Sequence, residues 1–251
     1  MEEDLNPFAF FEKYKFHKLQ LVFCVDVTSS MRPYIEEVKD TLKIIMKAIQ
    51  NLEMIKYEFA FVGYRDHPPE DNTFITKHKD FTDPLKLKDF IEKEITAKGG
   101  GDVPEAVLNG LNDCVDKLTW DDKSIKVVFH IADAPPHGTQ YHSGYDAFKD
   151  GCPKGYTAES VAKKFKDNDI NYILIDCGYD RKNNKNPLRS MITKFGEEKC
   201  FGCFHETKLI NGKTVNSFVA EYLKEKFNEE LKKIDDDLSI CLLYTSPSPR
   251  D

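Results

Sequence analysis

The chain has 251 residues, of which 40% are apolar and 31% charged, a balance typical of one large globular α/β domain and not of a disordered chain. A net charge of −7 gives no basic surface for nucleic-acid phosphates, so we expect no nucleic-acid partner. No apolar stretch approaches the roughly 18 residues of a membrane span, and the acidic N-terminus lacks a signal-peptide pattern. Seven cysteines, an odd number, favour free thiols in a reducing compartment, so we expect a cytoplasmic protein.

Strands and helices alternate along the chain. Apolar runs of strand length predict strands at 18–27, 55–66, 73–81, 124–133, 170–178 and 199–206. Helical periodicity predicts helices at 29–52, 83–95, 104–118, 157–168, 187–195 and 215–234. Ser30 is expected to cap the first helix. Because strand-to-strand crossovers exceed about 10 residues, the pattern predicts a doubly wound α/β fold with a mostly parallel central sheet and helices on both faces.

The predicted domain occupies residues 18–236. It follows an N-terminal extension, 1–17, and precedes a tail, 237–251. The last eleven residues, 241–251, match the translation of a sequencing adapter, so we set them aside and expect a longer natural protein. The alternative is a disordered Ser/Pro tail.

Polar side chains follow two of the predicted buried strands. Asp26 ends the first strand and is followed by the hydroxyls of Thr28 and Ser30, while Asp133 ends the strand in "SIKVVFHIAD". Asp102 lies on the glycine turn of "GGGDVPEAV". In such sheets ligands bind beyond the carboxyl ends of the strands, where these groups would meet. Three carboxylates and two hydroxyls are hard oxygen ligands, which suit Mg²⁺.

This arrangement resembles a von Willebrand factor type A domain with a metal-ion-dependent adhesion site. That family has D-x-[ST]-x-S after its first strand, and Asp26, Thr28 and Ser30 occupy those places; its later aspartate corresponds to Asp133 in "HIADAPPHG". The resemblance implies a Rossmann-like three-layer sandwich. It also implies that the hydroxyls contact Mg²⁺ or Mn²⁺ directly, that Asp26 acts through water, and that one position stays open for a carboxylate of a protein partner.

One position departs from the family pattern. The family's middle ligand is a threonine, and alignment puts Val103 at its place. Asp102 is then expected to complete the ligand set, which would retain the metal more strongly but leave it a weaker Lewis acid. Two alternatives stay open: the site is impaired, or these residues only cap helices and satisfy turns.

The strings "FVGYRDHPPED", "GGGDVPEAV" and "IADAPPHG" are most similar to the intracellular A domains that accompany atypical alpha-kinases. The leading hypothesis is therefore a non-catalytic binding module for an acidic group of a protein partner. An alternative is the regulatory or targeting domain of a longer serine/threonine alpha-kinase, truncated here. A Mg²⁺-dependent phosphohydrolase with Asp26 as nucleophile is disfavoured, because that chemistry requires D-x-D and position 28 is threonine.

A cysteine pair and a set of loop residues also have the composition of functional sites. Cys200 and Cys203 form a CxxC with His205 nearby, but a structural zinc site needs a second compact ligand pair, so neither a zinc nor a redox role is favoured.

The second group lies on the loops that follow the strands. His67, His137 and His142 are expected to be surface residues, with tuning of partner binding as the alternative. Arg65 and Asp66 either support the metal loops by hydrogen bonding or form a simple turn.

Overall fold

The computed structural model describes residues 18–49, 56–177 and 204–208. The described strands are β1 Lys18–Asp26, β2 Lys56–Tyr64, β3 Thr76–Thr82, β4 Ser124–Ala132, β5 Ile170–Asp176 and β6 Phe204–Lys208. The described α-helices are α1 Arg32–Ile49, α2 Pro84–Glu94, α3 Val107–Asp116 and α4 Ala158–Asp167. A short 3₁₀ turn, Ser29–Met31, precedes α1.

The six strands form one sheet in the order β3-β2-β1-β4-β5-β6. β1 is central and pairs in parallel with both β2 and β4, and β5 pairs in parallel with β4 and β6. Among the described strands only β3 runs antiparallel, at the edge. The predicted doubly wound, mostly parallel sheet is therefore confirmed. Because the chain moves outward from β1 in both directions, the carboxyl ends of β1 and β4 form the switch point of the sheet.

Alternate residues of β1 face opposite layers of the molecule. Leu21, Phe23 and Val25 pack in the core shared with α1 and α2, whereas Val22 and Cys24 pack in the core shared with α3 and α4. All five side chains are fully buried, as expected for a strand covered on both faces. Helices on the two faces thus hold the sheet rigidly and leave the loops at its carboxyl edge to form a site.

Helix α3 begins later than its sequence pattern predicts. The prediction started it near Pro104, but the helix begins at Val107. The reason is tertiary: the Glu105 amide donates to the Pro135 carbonyl at 2.9 Å, and the Ala106 amide donates to the Arg65 carbonyl at 2.8 Å. These bonds tie the segment before α3 to two other loops and keep it out of the helix.

Several predictions fall outside the described residues. They are the helices at 187–195 and 215–234, the Cys200–Cys203 pair, the extension 1–17 and the tail 237–251. Where the structure does describe cysteines, Cys24, Cys114, Cys152 and Cys177 are free thiols. Among the helices that the structure describes, none combines the length and apolar character of a membrane span.

Candidate metal centre

The two strand-end aspartates lie at the same end of the sheet. β1 and β4 are parallel with Val25 opposite Ile131, so Asp26 ends β1 and Asp133 follows the last residue of β4 at the same edge of the sheet. Asp26 is fully buried; its Oδ1 accepts a 2.8 Å hydrogen bond from the Thr28 amide, and its Oδ2 has no hydrogen-bond partner. Asp133 Oδ1 is also buried without a partner. An unpaired buried carboxylate oxygen is costly, so both atoms are places where a cation would be favourable.

The hydroxyls of the first loop are turned toward this pair and are not used for helix capping. Thr28 heads the 3₁₀ turn without a side-chain capping bond, and its Oγ1 lies 3.4 Å from Ser30 Oγ. The expectation that Ser30 caps α1 was wrong, because a 3₁₀ turn closed by the Met31 amide and the Thr28 carbonyl precedes the helix. The Ser30 hydroxyl instead opposes the rise in the pKa of the Asp133 carboxyl.

The glycine loop closes over the first loop. Gly99 and Gly100 have φ angles of 84° and 88°, which glycine adopts without strain. The Gly99 carbonyl accepts a 3.1 Å hydrogen bond from Ser29 Oγ. A Cβ on Gly100 would lie 3.0 Å from Glu105 Oε1 and 3.6 Å from Thr28 Cβ. Glycine at this position therefore lets Glu105 approach the threonine of the first loop.

Glu105 is the residue that sequence reasoning missed. Val103, at the expected place of the threonine ligand, is 65% exposed, whereas Glu105 is 3% exposed and its Oε2 has no partner. The backbone bonds that delay α3 also direct this side chain inward. The one available signal was an acidic residue in "GGGDVPEAV" after the glycines, but that position matched the first turn of a helix.

The carboxylates of this end raise one another's pKa. Burial, followed by the charge of Asp133, raises the pKa of Asp26 to about 7. Burial raises the pKa of Glu105 to about 10, with further contributions from Asp26, Asp66, Asp102 and Asp133. Burial also raises the pKa of Asp133, although the Ser30 hydrogen bond opposes it. Such a cluster is unfavourable when ionised alone and fits a divalent cation.

The Asp102 carboxylate belongs to a second cluster of side chains, which it forms with His137 and Asp146. Its Oδ2 accepts a 2.9 Å hydrogen bond from the Ala147 amide, and its Oδ1 is buried without a partner. Ligand atoms of Asp102, His137 and Asp146 all lie within 4.8 Å of one another. Burial and then the charge of Asp66 raise the pKa of Asp102, while the Ala147 bond opposes them. The structure thus brings Asp26, Thr28, Ser30 and Asp133 together and places Asp102 beside this second group.

The loop histidines are not surface residues. His137 is 1% exposed, with Nε2 2.6 Å from Asp66 Oδ1 and Nδ1 2.8 Å from Asp146 Oδ1. His67 is 3% exposed, and its Nε2 lies 3.0 Å from Asn109 Oδ1. The expectation of surface histidines was wrong for both, because carboxylate or amide oxygens from distant segments pair with their rings.

The segment after β2 is also more than a simple turn. Asp66 is fully buried and accepts hydrogen bonds from His137 and from the His67 amide at 2.6 Å. The Arg65 guanidinium bonds Thr73 Oγ1 at 2.5 Å, lies 3.7 Å from Asp71 Oδ2 and sits 4.3 Å from the centre of the Phe74 ring. Asp66 is therefore part of the site, while Arg65 holds the adjoining loop.

Comparison with known proteins gives consistent results. A family model described as von Willebrand factor A domain matches residues 20–147. The alpha-protein kinase vwkA of Dictyostelium discoideum is 32% identical over 228 residues, covering 88% of this chain and 33% of that protein. A putative ariadne-like RING finger protein, R811, of Acanthamoeba polyphaga mimivirus is 30% identical over 121 residues, covering 47% of this chain and 11% of that protein. The chain thus spans about a third of the first relative and a smaller share of the second.

A likeness to a solved structure supports the fold. The pilus adhesin SpaC from Lactobacillus rhamnosus GG, in its open conformation, superposes with a TM-score of 0.53 at 11% identity, covering 87% of this chain and 30% of that chain. At this identity the likeness concerns the arrangement of strands and helices.

Proposed function

Because this chain belongs to the von Willebrand factor A domain family, we propose that it is a non-catalytic protein-binding module that holds Mg²⁺ or Mn²⁺ and engages an acidic group of a protein partner. The observation that carries the proposal is the set of buried carboxylate oxygens without hydrogen-bond partners on Asp26, Glu105 and Asp133. Buried polar atoms are almost always paired, so three unpaired ones at one sheet edge indicate a cation there.

The proposed ligands come from three segments. Thr28, Ser30 and Asp133 would supply oxygen atoms directly, and Asp26 would act through water, as in the family pattern. Asp102, the ligand expected from the sequence, instead bonds the Ala147 amide and lies beside His137 and Asp146, and Glu105 takes the place left by the absent threonine. All of these are oxygen donors, which supports a hard cation over a thiolate-preferring one.

Replacing a neutral hydroxyl by Glu105 has a chemical consequence. An added negative ligand retains the cation more tightly, but it also lowers the cation's attraction for an incoming carboxylate. A partner must therefore gain part of its affinity from contacts around the metal.

Exposed apolar side chains beside the site support such contacts. In the part of the chain that the structure describes, the exposed large apolar side chains are Leu85, Val103 and Tyr145, and the last two are 65% and 71% exposed. The hydrogen bond from the Ala147 amide to Asp102 joins the loops that carry Val103 and Tyr145. An acidic partner residue flanked by apolar side chains would fit this surface.

Calorimetric titration with Mg²⁺ and Mn²⁺ tests the metal site. In Asp133→Asn we expect affinity to fall at least about tenfold, because losing even a group that only orients a metal ligand typically costs about 10–100-fold in metal affinity. Asp89→Asn, an exposed carboxylate on α2, is the matched control and should bind as the wild type does. Equal affinity of Asp133→Asn and wild type would contradict the proposal.

A second candidate function rests on the longer relative. Because 88% of this chain matches one third of an alpha-protein kinase, we also propose that the domain can serve as the regulatory or targeting part of such a kinase. Sequencing the transcript beyond codon 240 tests this proposal. A kinase-coding continuation supports it, and a stop codon immediately after the domain contradicts it.

A further inference from the structure

A thiol, an imidazole and an amide meet away from the carboxylate cluster. Cys152 Sγ lies 3.0 Å from Asn109 Oδ1 and 4.0 Å from His67 Nε2, and the same Nε2 lies 3.0 Å from Asn109 Oδ1. His67 follows β2, Asn109 lies in the first turn of α3, and Cys152 lies in the loop between β4 and α4. Three distant segments of the chain thus bring one sulfur, one nitrogen and one oxygen atom together.

The spacing of these three atoms is close to that of ligands around a tetrahedral ion. Zn²⁺ bonds sulfur at about 2.3 Å and nitrogen or oxygen at about 2.0–2.2 Å, so its tetrahedral ligand atoms lie about 3.3–3.6 Å apart. The three observed separations lie within about 0.5 Å of this range. Small side-chain rotations would therefore bring all three atoms into contact with one ion.

Burial and a tight turn hold these side chains in place. His67 and Asn109 are 3% and 6% exposed, and the Phe148 ring packs edge-on against the imidazole with the ring centres 5.4 Å apart. The Gly155 amide donates to the Cys152 carbonyl at 2.8 Å, and Gly155 has a φ of 75°, which closes a turn beside the cysteine. Cys152 itself is only partly buried, so an ion has an entry path from solvent.

The electrostatic surroundings favour a cation bound to the thiolate over a bare thiolate. Burial raises the pKa of the Cys152 thiol, while the backbone amides of Lys154 and Tyr156 oppose that rise. Burial lowers the pKa of His67, which keeps the imidazole neutral and able to offer a lone pair. The Asp66 carboxylate accepts a hydrogen bond from the His67 amide at 2.6 Å, so its charge would offset the positive charge that remains on the ion.

The arrangement does not suit nucleophilic catalysis. A catalytic set of cysteine, histidine and asparagine needs the thiol at one ring nitrogen and the amide at the other. Here Cys152 Sγ and Asn109 Oδ1 both approach Nε2 of His67. Because all three atoms lie on one side of the ring, they can share an ion, whereas the histidine cannot pass a proton between the other two residues.

We propose that Cys152, His67 and Asn109 form a binding site for Zn²⁺, with solvent in its fourth position. Thiolate and imidazole favour this ion over Mg²⁺, which prefers oxygen ligands. On binding, the thiol releases its proton to solvent, and the proton that His67 Nε2 directs at Asn109 moves to Nδ1. The site uses none of the carboxylates of the proposed function and does not depend on it.

Ultraviolet absorption during a Cd²⁺ titration tests the site, because Cd²⁺ replaces Zn²⁺ at thiolate sites and gives a sulfur-to-metal charge-transfer band. The reference protein is the whole chain with Cys200→Ser and Cys203→Ser, which removes the CxxC, in excess Mg²⁺ to fill the carboxylate site. We expect one Cd²⁺ per chain with this band, and loss of the band when excess Zn²⁺ is added. Cys152→Ser should abolish the band, and His67→Gln should lower the affinity at least about tenfold.

Two further variants control for other metal-binding positions. Cys177→Ser changes another partly buried cysteine, and Asp133→Asn changes the carboxylate site, so both should keep the band. Loss of the band in either folded control would place the ion elsewhere and overturn the proposal.

The remaining outcomes also decide the question. No band in the folded reference protein, or a band that persists in Cys152→Ser, overturns the proposal. Unchanged affinity in folded His67→Gln would show binding by the thiol alone and would also overturn it. Circular dichroism establishes that each variant is folded, and Cys152→Ser, at a partly exposed position, carries the test if His67→Gln does not fold.

Discussion

Two buried ionisable side chains near the carboxyl edge of the sheet are stabilised in opposite ways. His130 on β4 is fully buried and hydrogen-bonds the Tyr64 hydroxyl at 2.8 Å through Nε2 and the Tyr172 hydroxyl at 2.7 Å through Nδ1. Glu105 is buried with an oxygen that no protein group satisfies. Both ring nitrogens of His130 have hydrogen-bond partners within the protein, so this residue is structural. Glu105 needs an additional ligand for its unpaired oxygen.

The buried histidine predicts a pH dependence of stability. Burial lowers the pKa of His130 from 6.5 to about 3. Between those values the unfolded chain binds a proton at this residue that the folded protein excludes, so the contribution of His130 to stability falls as the pH drops through this range. The free energy of unfolding should lose up to about 1.4 kcal/mol per pH unit from this residue.

Urea denaturation in EDTA between pH 7.5 and 4.5 measures this effect. His130→Gln removes the titration while keeping an amide donor and acceptor for the tyrosines. It is expected to be less stable than wild type at pH 7.5 but to lose stability less steeply in acid. His78→Gln, at an exposed position on β3, should retain the wild-type slope. Parallel acid limbs for wild type and His130→Gln would contradict the prediction.

The sequence alone could predict the position of some site residues but not of others. Asp26 and Asp133 follow uninterrupted buried strands, and parallel strands bring their carboxyl ends together, so the pairing was predictable. Glu105 was not, because the apolar spacing of the following residues continues into α3 and only bonds to Pro135 and Arg65 keep Glu105 out of the helix. His137 pairs with a carboxylate 71 residues earlier, which a local pattern does not reveal.

At the scale of elements, α3 lies unusually close to β2. Gly110 faces the sheet, and a Cβ placed there would be 2.3 Å from Tyr64 Cδ1 and 2.9 Å from Tyr64 Cγ. The helical period predicted a helix over 104–118, but the need for glycine at this position arises from the ring on the neighbouring strand. This close approach brings the start of α3, and with it Glu105, down to the carboxyl edge of the sheet.

Gly110→Ala tests that packing. Alanine would gain about 1 kcal/mol over glycine in an isolated helix, but overpacking in a filled core costs about 1–3 kcal/mol. Since the clash is with a ring held at its hydroxyl by His130, we expect the upper part of that cost and a net loss of about 1–2 kcal/mol in the free energy of unfolding. Chemical denaturation measures it.

Gly144→Ala is the matched control for that substitution. A Cβ there would meet only His142 Nδ1, at 3.7 Å, and its backbone lies outside the left-handed region, so stability should be unchanged. A Gly110→Ala protein as stable as wild type would show that α3 can move away from β2 without cost.

At the scale of the whole molecule, the site joins segments that follow different strands. Asp26 ends β1, Asp66 follows β2, Asp133 follows β4, and Glu105 precedes α3. Without a cation, burial and mutual repulsion raise the pKa values of Asp26, Glu105 and Asp133, so keeping them together costs free energy whether they ionise or take up protons. The same carboxylates that would recognise a metal thus destabilise the metal-free fold.

Because these carboxylates destabilise the metal-free protein but would bind the metal, the effect of Asp133→Asn on stability should depend on whether Mg²⁺ is present. In EDTA, Asp133→Asn should be as stable as wild type or more so, because it removes one ionisable carboxyl from a buried cluster in which the carboxyls raise one another's pKa. At a Mg²⁺ concentration about 100 times its Kd, wild type should gain about 2.7 kcal/mol, or about 5–10 °C in melting temperature. Asp133→Asn should gain little, so the order of the two melting temperatures reverses, whereas Asp89→Asn should follow wild type under both conditions.

Thermal denaturation of the three proteins measures this, and a lower melting temperature for Asp133→Asn in EDTA would show that Asp133 stabilises the fold through contacts that need no metal.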